Sequence, residues 1–372
     1  MPNLSRRSWL LLLTALLCFA GLMNLYSISL LAGLGAFKKQ LIWVLAGFLT
    51  VAAISRLRPI TLENHSVAFY LFFLALLGLL FVFGKTVSGS RSWFQIGPVS
   101  VQPSEFIKIG IIMVLANYYA SDVAAKENYN WVELLKPLAL LLVPTAAVTA
   151  QPDMGTAITI LLIGSSIVLL MGISRKALLR IIIIALISIV PTWHLLIKDY
   201  QKERIYSFMD TSTDPFGVSY NSIQSQIAIG SGMGFGKGFS LGSQSNLNFL
   251  PAHHTDFAFS VISEEWGFRG SVFILLLYFS IILFILNIAT SLEDRFAIIA
   301  CFGIAAMFFW HAVINIAMVT GLMPIIGTPL FFISYGGSST LTAFIGIGIV
   351  LCLRKKINRA RKTQISVKKT NS

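Results

Sequence analysis

Apolar residues in this chain come in long unbroken runs, not in the narrow stripes of a soluble amphipathic helix. The runs fall near residues 9–32, 40–55, 66–84, 104–120, 136–150, 156–172, 177–197, 257–288, 297–319 and 325–352. Most approach the roughly 17 to 25 residues that a helix needs to cross about 30 Å of hydrocarbon. The short alternating segments of a spanning β-barrel are absent. The pattern predicts an all-α polytopic membrane protein of about ten transmembrane helices. One long loop, residues 198–255, separates the seventh span from the eighth. A single transmembrane domain would cover 1–353, followed by a basic tail at 354–372. The first run follows Arg6 and Arg7, as a signal peptide does, but it is long and lacks a small-residue cleavage site, so it is predicted to stay as a helix.

Composition agrees with this reading. Of 372 residues, 56% are hydrophobic and 12% charged, with a mean hydropathy of +0.80. A water-soluble domain would carry about twice that charged fraction. The formal charge of +13 follows from where the cations stand. Loops on one side hold 18 Lys and Arg, including the tail, against 8 on the other side. That bias places both termini in the cytoplasm and the 198–255 loop outside. It accounts for the charge without nucleic acid, and the tail could touch anionic membrane lipid. Cys18, Cys301 and Cys352 lie in apolar spans, with neither disulfide nor metal spacing.

Ionisable groups at membrane depth mark function. Glu105, Asp153, Asp256, Glu264 and Glu265 are the acids that fall in or beside spans, with Lys108 and Arg269 as the cations. The segment Gly89–Glu105 is an outer loop whose Trp93, Phe94, Ile96, Val99 and Val101 suit the membrane interface, with Ser104 placed to cap the fourth span. Glu105 and Lys108, three apart, share a helix face. They are either a helix-stabilising pair or the wall of a cavity for an anionic headgroup. Asp153 could cap the sixth span or meet substrate. The alternating Gly230, Gly232, Gly234, Gly236 and Gly238 suit close backbone approach or simple flexibility. In the eighth span Ser260 lies about 40° and Glu264 about 80° around the helix from Asp256. Glu265 points away, four residues before Arg269, as a structural ion pair would.

Five motifs carry a family resemblance: Gln102-Pro-Ser-Glu105, Gln151-Pro-Asp-Met-Gly-Thr156, Ile223-Gln-Ser-Gln-Ile-Ala-Ile-Gly-Ser-Gly232, Thr255-Asp-Phe257 with Glu264-Glu265, and Ile333-Ser-Tyr-Gly-Gly-Ser338. Over nearly its whole length the chain resembles the SEDS family (shape, elongation, division, sporulation). The stretch Gly236-Lys-Gly238 and Gly242–Pro251 resembles its elongation branch more than its division branch. One departure is Pro251-Ala252-His253, where the family usually has Pro-Glu.

The resemblance implies a peptidoglycan glycosyltransferase that polymerises lipid II outside the cytoplasmic membrane. It implies work in the elongation complex with a class B penicillin-binding protein transpeptidase. On that basis Asp256 is expected to be the catalytic base. Lys108 and Arg91 are expected to neutralise the diphosphate, and Glu105, Asp153, Ser260 and Glu264 to line the substrate site. A divalent cation, Mg or Mn, could share the diphosphate charge, but no motif specifies a metal ligand. Two other readings use the same cavity: a lipid II flippase, which needs no base, and a non-catalytic scaffold.

Overall fold

The computed structural model describes residues 6–87, 90–97, 99–122, 126, 128–210, 220–246 and 254–355. The Ala252-His253 departure, the apolar loop residues Leu247, Phe249 and Leu250, and the tail from residue 356 onward lie outside the described residues.

Helices form where the apolar runs stand. They are α1 (Arg6–Ala32), α2 (Gly35–Arg56), the short α3 (Pro59–Asn64), α4 (Ser66–Phe83), α5 (Pro103–Ala120), α6 (Trp131–Ala150), α7 (Met154–Leu170) and α8 (Arg175–Pro191), which continues as a π turn over Thr192–Leu196. After the long loop come α12 (Ala258–Ala289), α13 (Arg295–Val319) and α14 (Gly337–Leu353). Seven are long and apolar enough, by length and composition, to cross a membrane, counting α8 with its π turn as one. The shorter α7 and α14 are also apolar, and α5 carries Glu105 and Lys108. The chain is a multi-pass membrane protein with a nearly all-helical fold.

Two local features depart from the expected pattern, and the long loop carries helices of its own. The last apolar run turns helical only at Gly337, not at 325. Pro324 and Pro329 interrupt it, and Gly327 and Phe332 take left-handed backbone at φ 73° and 65°. The segment after α4 is an antiparallel sheet of β1 (Lys85–Val87), β2 (Ser90–Ile96) and β3 (Val99–Val101), with Phe94 opposite Val101 and Ile96 opposite Val99. The long loop is itself structured, with α9 (Asp199–Met209), α10 (Tyr220–Ser231) and α11 (Ser243–Asn246).

The chain packs as two compact units. One comprises Met1–Val44, Leu178–Ile281 and Phe308–Thr340, the other Leu45–Ala177, Ile282–Met307 and Leu341–Ser372. In the first, the non-helical Leu330–Ser334 is buried. The Tyr278 hydroxyl donates to the Phe331 carbonyl, and Asn24 Nδ2 to the Ala258 carbonyl at 3.1 Å. In the second, α5 is the central helix, with every side chain from Pro103 to Ala116 buried and α4, α6 and α7 packed around it. Gly110 has no side chain where the backbone of Tyr70 passes.

Candidate functional site

In the first unit the chain reaches α12 through a turn at His254–Phe257, and Asp256 sits in that turn, partly exposed. One of two bonds from a buried amide holds its backbone. Asn315 Nδ2, on α13, donates to the Asp256 carbonyl at 2.8 Å and to the Thr328 carbonyl at 2.7 Å. Gly327, with left-handed backbone at φ 73°, lies beside the carboxylate: a β-carbon there would stand in ordinary contact, 3.5 Å from Asp256 Oδ2. Further bonds hold the same walls. The Tyr335 N–H donates to the His254 carbonyl at 2.8 Å, and Arg204 Nη1 to the Ile325 carbonyl at 3.1 Å.

Ser260 and Glu264 do not join Asp256 along one open face. The Ser260 hydroxyl is fully buried against that of Ser225 at 2.7 Å, and Ser225 donates on to the Val319 carbonyl. That chain of bonds ties α10 to α12. Glu264 is fully buried and paired with Lys237 at 2.6 Å, and it accepts from Ser243 Oγ at 3.2 Å and the Gln244 N–H at 3.1 Å.

Two glycines of the run, Gly232 and Gly236, stand where its backbone passes close to that of α12. The Lys237 and Gly238 N–H groups donate to the carbonyls of Glu264 and Glu265 at 2.9 and 3.0 Å. A β-carbon on Gly232 would collide with the Ser263 carbonyl, and one on Gly236 with that of Glu265. Gly230 and Gly234 meet nothing.

The expected Glu265–Arg269 pair does not form. Gly267 takes φ 66° and ψ −160° inside α12, which breaks the helical register that would bring residues four apart together. Glu265 instead accepts from Ser27 Oγ at 2.5 Å. Arg269 lies on the other side of the bend, its guanidinium 3.9 Å over the Phe235 ring.

In the second unit, Glu105 and Lys108 form a pair at 2.7 Å with both side chains buried. Helix α5 starts at Pro103 with Gln102 as its N-cap residue, so Ser104 stands in the first turn and does not cap. Gln102 Nε2 instead donates to Asp153 Oδ2 at 2.8 Å, while Asp153 Oδ1 caps α7 by accepting from the Thr156 N–H at 3.2 Å. The structure thus groups Glu105, Lys108, Gln102 and Asp153 at the starts of α5 and α7. Arg91 is engaged differently. Its Nε, Nη1 and Nη2 donate to the carbonyls of Gly84, Phe81 and Val82 at 2.9, 2.9 and 3.2 Å, closing the C-terminus of α4.

Asn315 and the Lys237 partner of Glu264 were not foreseen. A buried Asn in an apolar run is the signal for the first. The lone cation among the glycines is the signal for the second. Among the described residues no three His, Cys, Asp or Glu side chains stand together as a metal-ligand set.

This arrangement is that of a known class of membrane protein. Residues 7–359 match the family model described as "Cell cycle protein", which groups FtsW, RodA and SpoVE, and the chain belongs to that family. It is 34% identical over 355 residues to the peptidoglycan glycosyltransferase MrdB of Escherichia coli K12, covering 94% of each chain. It is 29% identical to the peptidoglycan glycosyltransferase RodA of Treponema pallidum, covering 86% of this chain and 90% of that one. Among solved structures it resembles a chain of a peptidoglycan synthase complex that coordinates polymerization and crosslinking (TM-score 0.79, 29% identity, 94% of this chain and 97% of that one). It also resembles the rod shape determining protein RodA of Thermus thermophilus (TM-score 0.67, 25% identity, 93% of this chain and 95% of that one).

Proposed function

We propose that this chain is a peptidoglycan glycosyltransferase of the bacterial cytoplasmic membrane that polymerises lipid II during cell elongation, with a class B penicillin-binding protein as partner. The observation that carries the proposal is the 34% identity, across 94% of both chains, with a protein named for that activity. The solved relative in a synthase complex supports the partner.

The chemistry is one displacement. The acceptor's GlcNAc 4-hydroxyl attacks the anomeric carbon of the donor MurNAc. The glycosidic C–O bond forms as the bond to undecaprenyl diphosphate breaks, and the α-linked donor gives a β-1,4 product. Asp256 takes the hydroxyl proton. Its backbone, held by Asn315, and its partly exposed place in the turn suit a base that must meet a hydroxyl at hydrogen-bond distance. Diphosphate leaves without protonation, so the remaining task is to balance its charge. We assign that to Lys108, held by Glu105. Arg91 can contribute only through the N–H groups that the end of α4 leaves over. A divalent cation would be held as much by substrate phosphate as by protein.

Purified chain, labelled lipid II and the cognate transpeptidase test this directly. Glycan strands are the expected product. Lipid II that crosses a vesicle membrane without being polymerised would contradict the enzyme and support a flippase. The orientation has its own test, since both termini are assigned to the cytoplasm and the 198–255 loop to the outside. The three native cysteines are buried, so a cysteine at the exposed Ser243 reports alone. It should react with an impermeant reagent in intact cells. Reaction only after permeabilisation would reverse the orientation.

A further inference from the structure

The bend at Gly267 turns Arg269 onto an outer face of α12 that is otherwise apolar. Its backbone N–H reaches the Gly234 carbonyl at 3.4 Å, and that of Phe268 the Met233 carbonyl at 2.8 Å, so the glycine loop is tied beside it. Met233, Phe235 and Phe268 are 80, 74 and 70% exposed. Past the bend, Phe273, Leu276 and Phe279 carry the exposed apolar face onward at helical spacing. Large apolar side chains this open, on a helix long and apolar enough to span a membrane, form a lipid-facing surface. Arg269 interrupts it.

An arginine in such a surface needs acceptors. The Phe235 ring covers one face of the guanidinium but takes none of its in-plane N–H groups. Among the described residues no carboxylate or carbonyl accepts from that side chain. A planar fork of donors left open beside acyl-chain contacts matches a phosphodiester, whose oxygens it can bind in pairs while the ring holds its plane. We propose that Arg269 and Phe235 form a binding site for the phosphate of an anionic phospholipid, with its acyl chains along Phe268, Phe273, Leu276 and Phe279. The site is independent of the chemistry assigned to Asp256.

The test uses the full chain in neutral detergent, titrated with phosphatidylglycerol. Native mass spectrometry reads bound lipid on intact, folded protein. Arg269→Gln should weaken retention of the tightest-held lipid by about tenfold, the scale of one lost charge-assisted contact. Arg269→Lys should keep part of the binding. Phe235→Leu removes the ring while leaving the charge, and should also weaken retention, so it serves as a second variant should Arg269→Gln fold poorly. Phosphatidylcholine should be held less well than phosphatidylglycerol. Retention by Arg269→Gln and Phe235→Leu equal to the wild type overturns the site. Displacement of the lipid by inorganic phosphate at matched ionic strength would show a phosphate site without acyl-chain recognition, and would overturn the lipid assignment.

Discussion

Asn315 donates both hydrogens of one side-chain nitrogen, to Asp256 and to Thr328, at 2.8 and 2.7 Å. A buried amide on α13 thereby holds the backbone of the proposed base and of the irregular segment beside it. Asn315→Ala leaves two carbonyls without their donor, and losing such bonds costs about 1 to 3 kcal/mol each when the acceptor stays buried. A lower melting temperature in detergent is expected. Turnover per folded molecule should also fall, with kcat affected more than KM, because the base loses position rather than the substrate its contacts. A loss of stability with unchanged kcat would make Asn315 purely a packing residue.

The Glu105–Lys108 pair yields a test that separates folding from chemistry. Removing Lys108 alone leaves a buried carboxylate uncompensated, at about 3 to 5 kcal/mol. Lys108→Ala should therefore be both unstable and inactive. The double change Glu105→Gln with Lys108→Met removes both charges and should recover most of the stability. It should not recover polymerisation if Lys108 balances the leaving diphosphate. Lys126→Ala, at a pair that is partly open to solvent, should leave turnover near the wild-type rate. An active double variant would reduce the pair to scaffolding.

The glycines of the loop should separate into two kinds. Gly232→Ala and Gly236→Ala place a methyl group against backbone carbonyls of α12, and backbone cannot yield as a side chain tip can. Each should lower stability by about 1 to 3 kcal/mol, the usual range for overpacking. Gly236 also has φ 79°, which adds strain for alanine. Gly230→Ala and Gly234→Ala, which meet open space, should be close to silent. Thermal melts of the four variants decide it, and equal losses at all four would mean that flexibility, not close approach, is what the glycines supply.

All of the expected spans but the last broadly coincide with helices, because hydrocarbon thickness writes itself into run length. What escaped the pattern was set by backbone angles. Gly267 sits inside an apolar run, and nothing in hydropathy shows that it bends α12 and parts Glu265 from Arg269. The run beginning at 325 is apolar whether helical or not, so its irregular first half, held by Asn315 and Arg204, read as helix. The acids stand out in the sequence because they fall in or beside apolar runs. Their partners were not legible, because Lys237 meets Glu264 across 27 positions and Gln102 meets Asp153 across 51. Arg91 could be read as a phosphate ligand because its role at the end of α4 depends on a β-sheet turning back toward that helix.

The central claim is that Asp256 acts as a base, and one substitution tests it most directly. Asp256→Asn keeps the size and polarity of the side chain, and the backbone carbonyl held by Asn315 is unchanged, so the fold should stand. Strand synthesis from labelled lipid II by the purified variant with its transpeptidase is the measurement. Loss of a general base predicts a fall of about 10²- to 10⁴-fold in rate, with donor binding altered far less. A variant that folds, binds lipid II and still builds glycan strands at close to the wild-type rate would contradict the account.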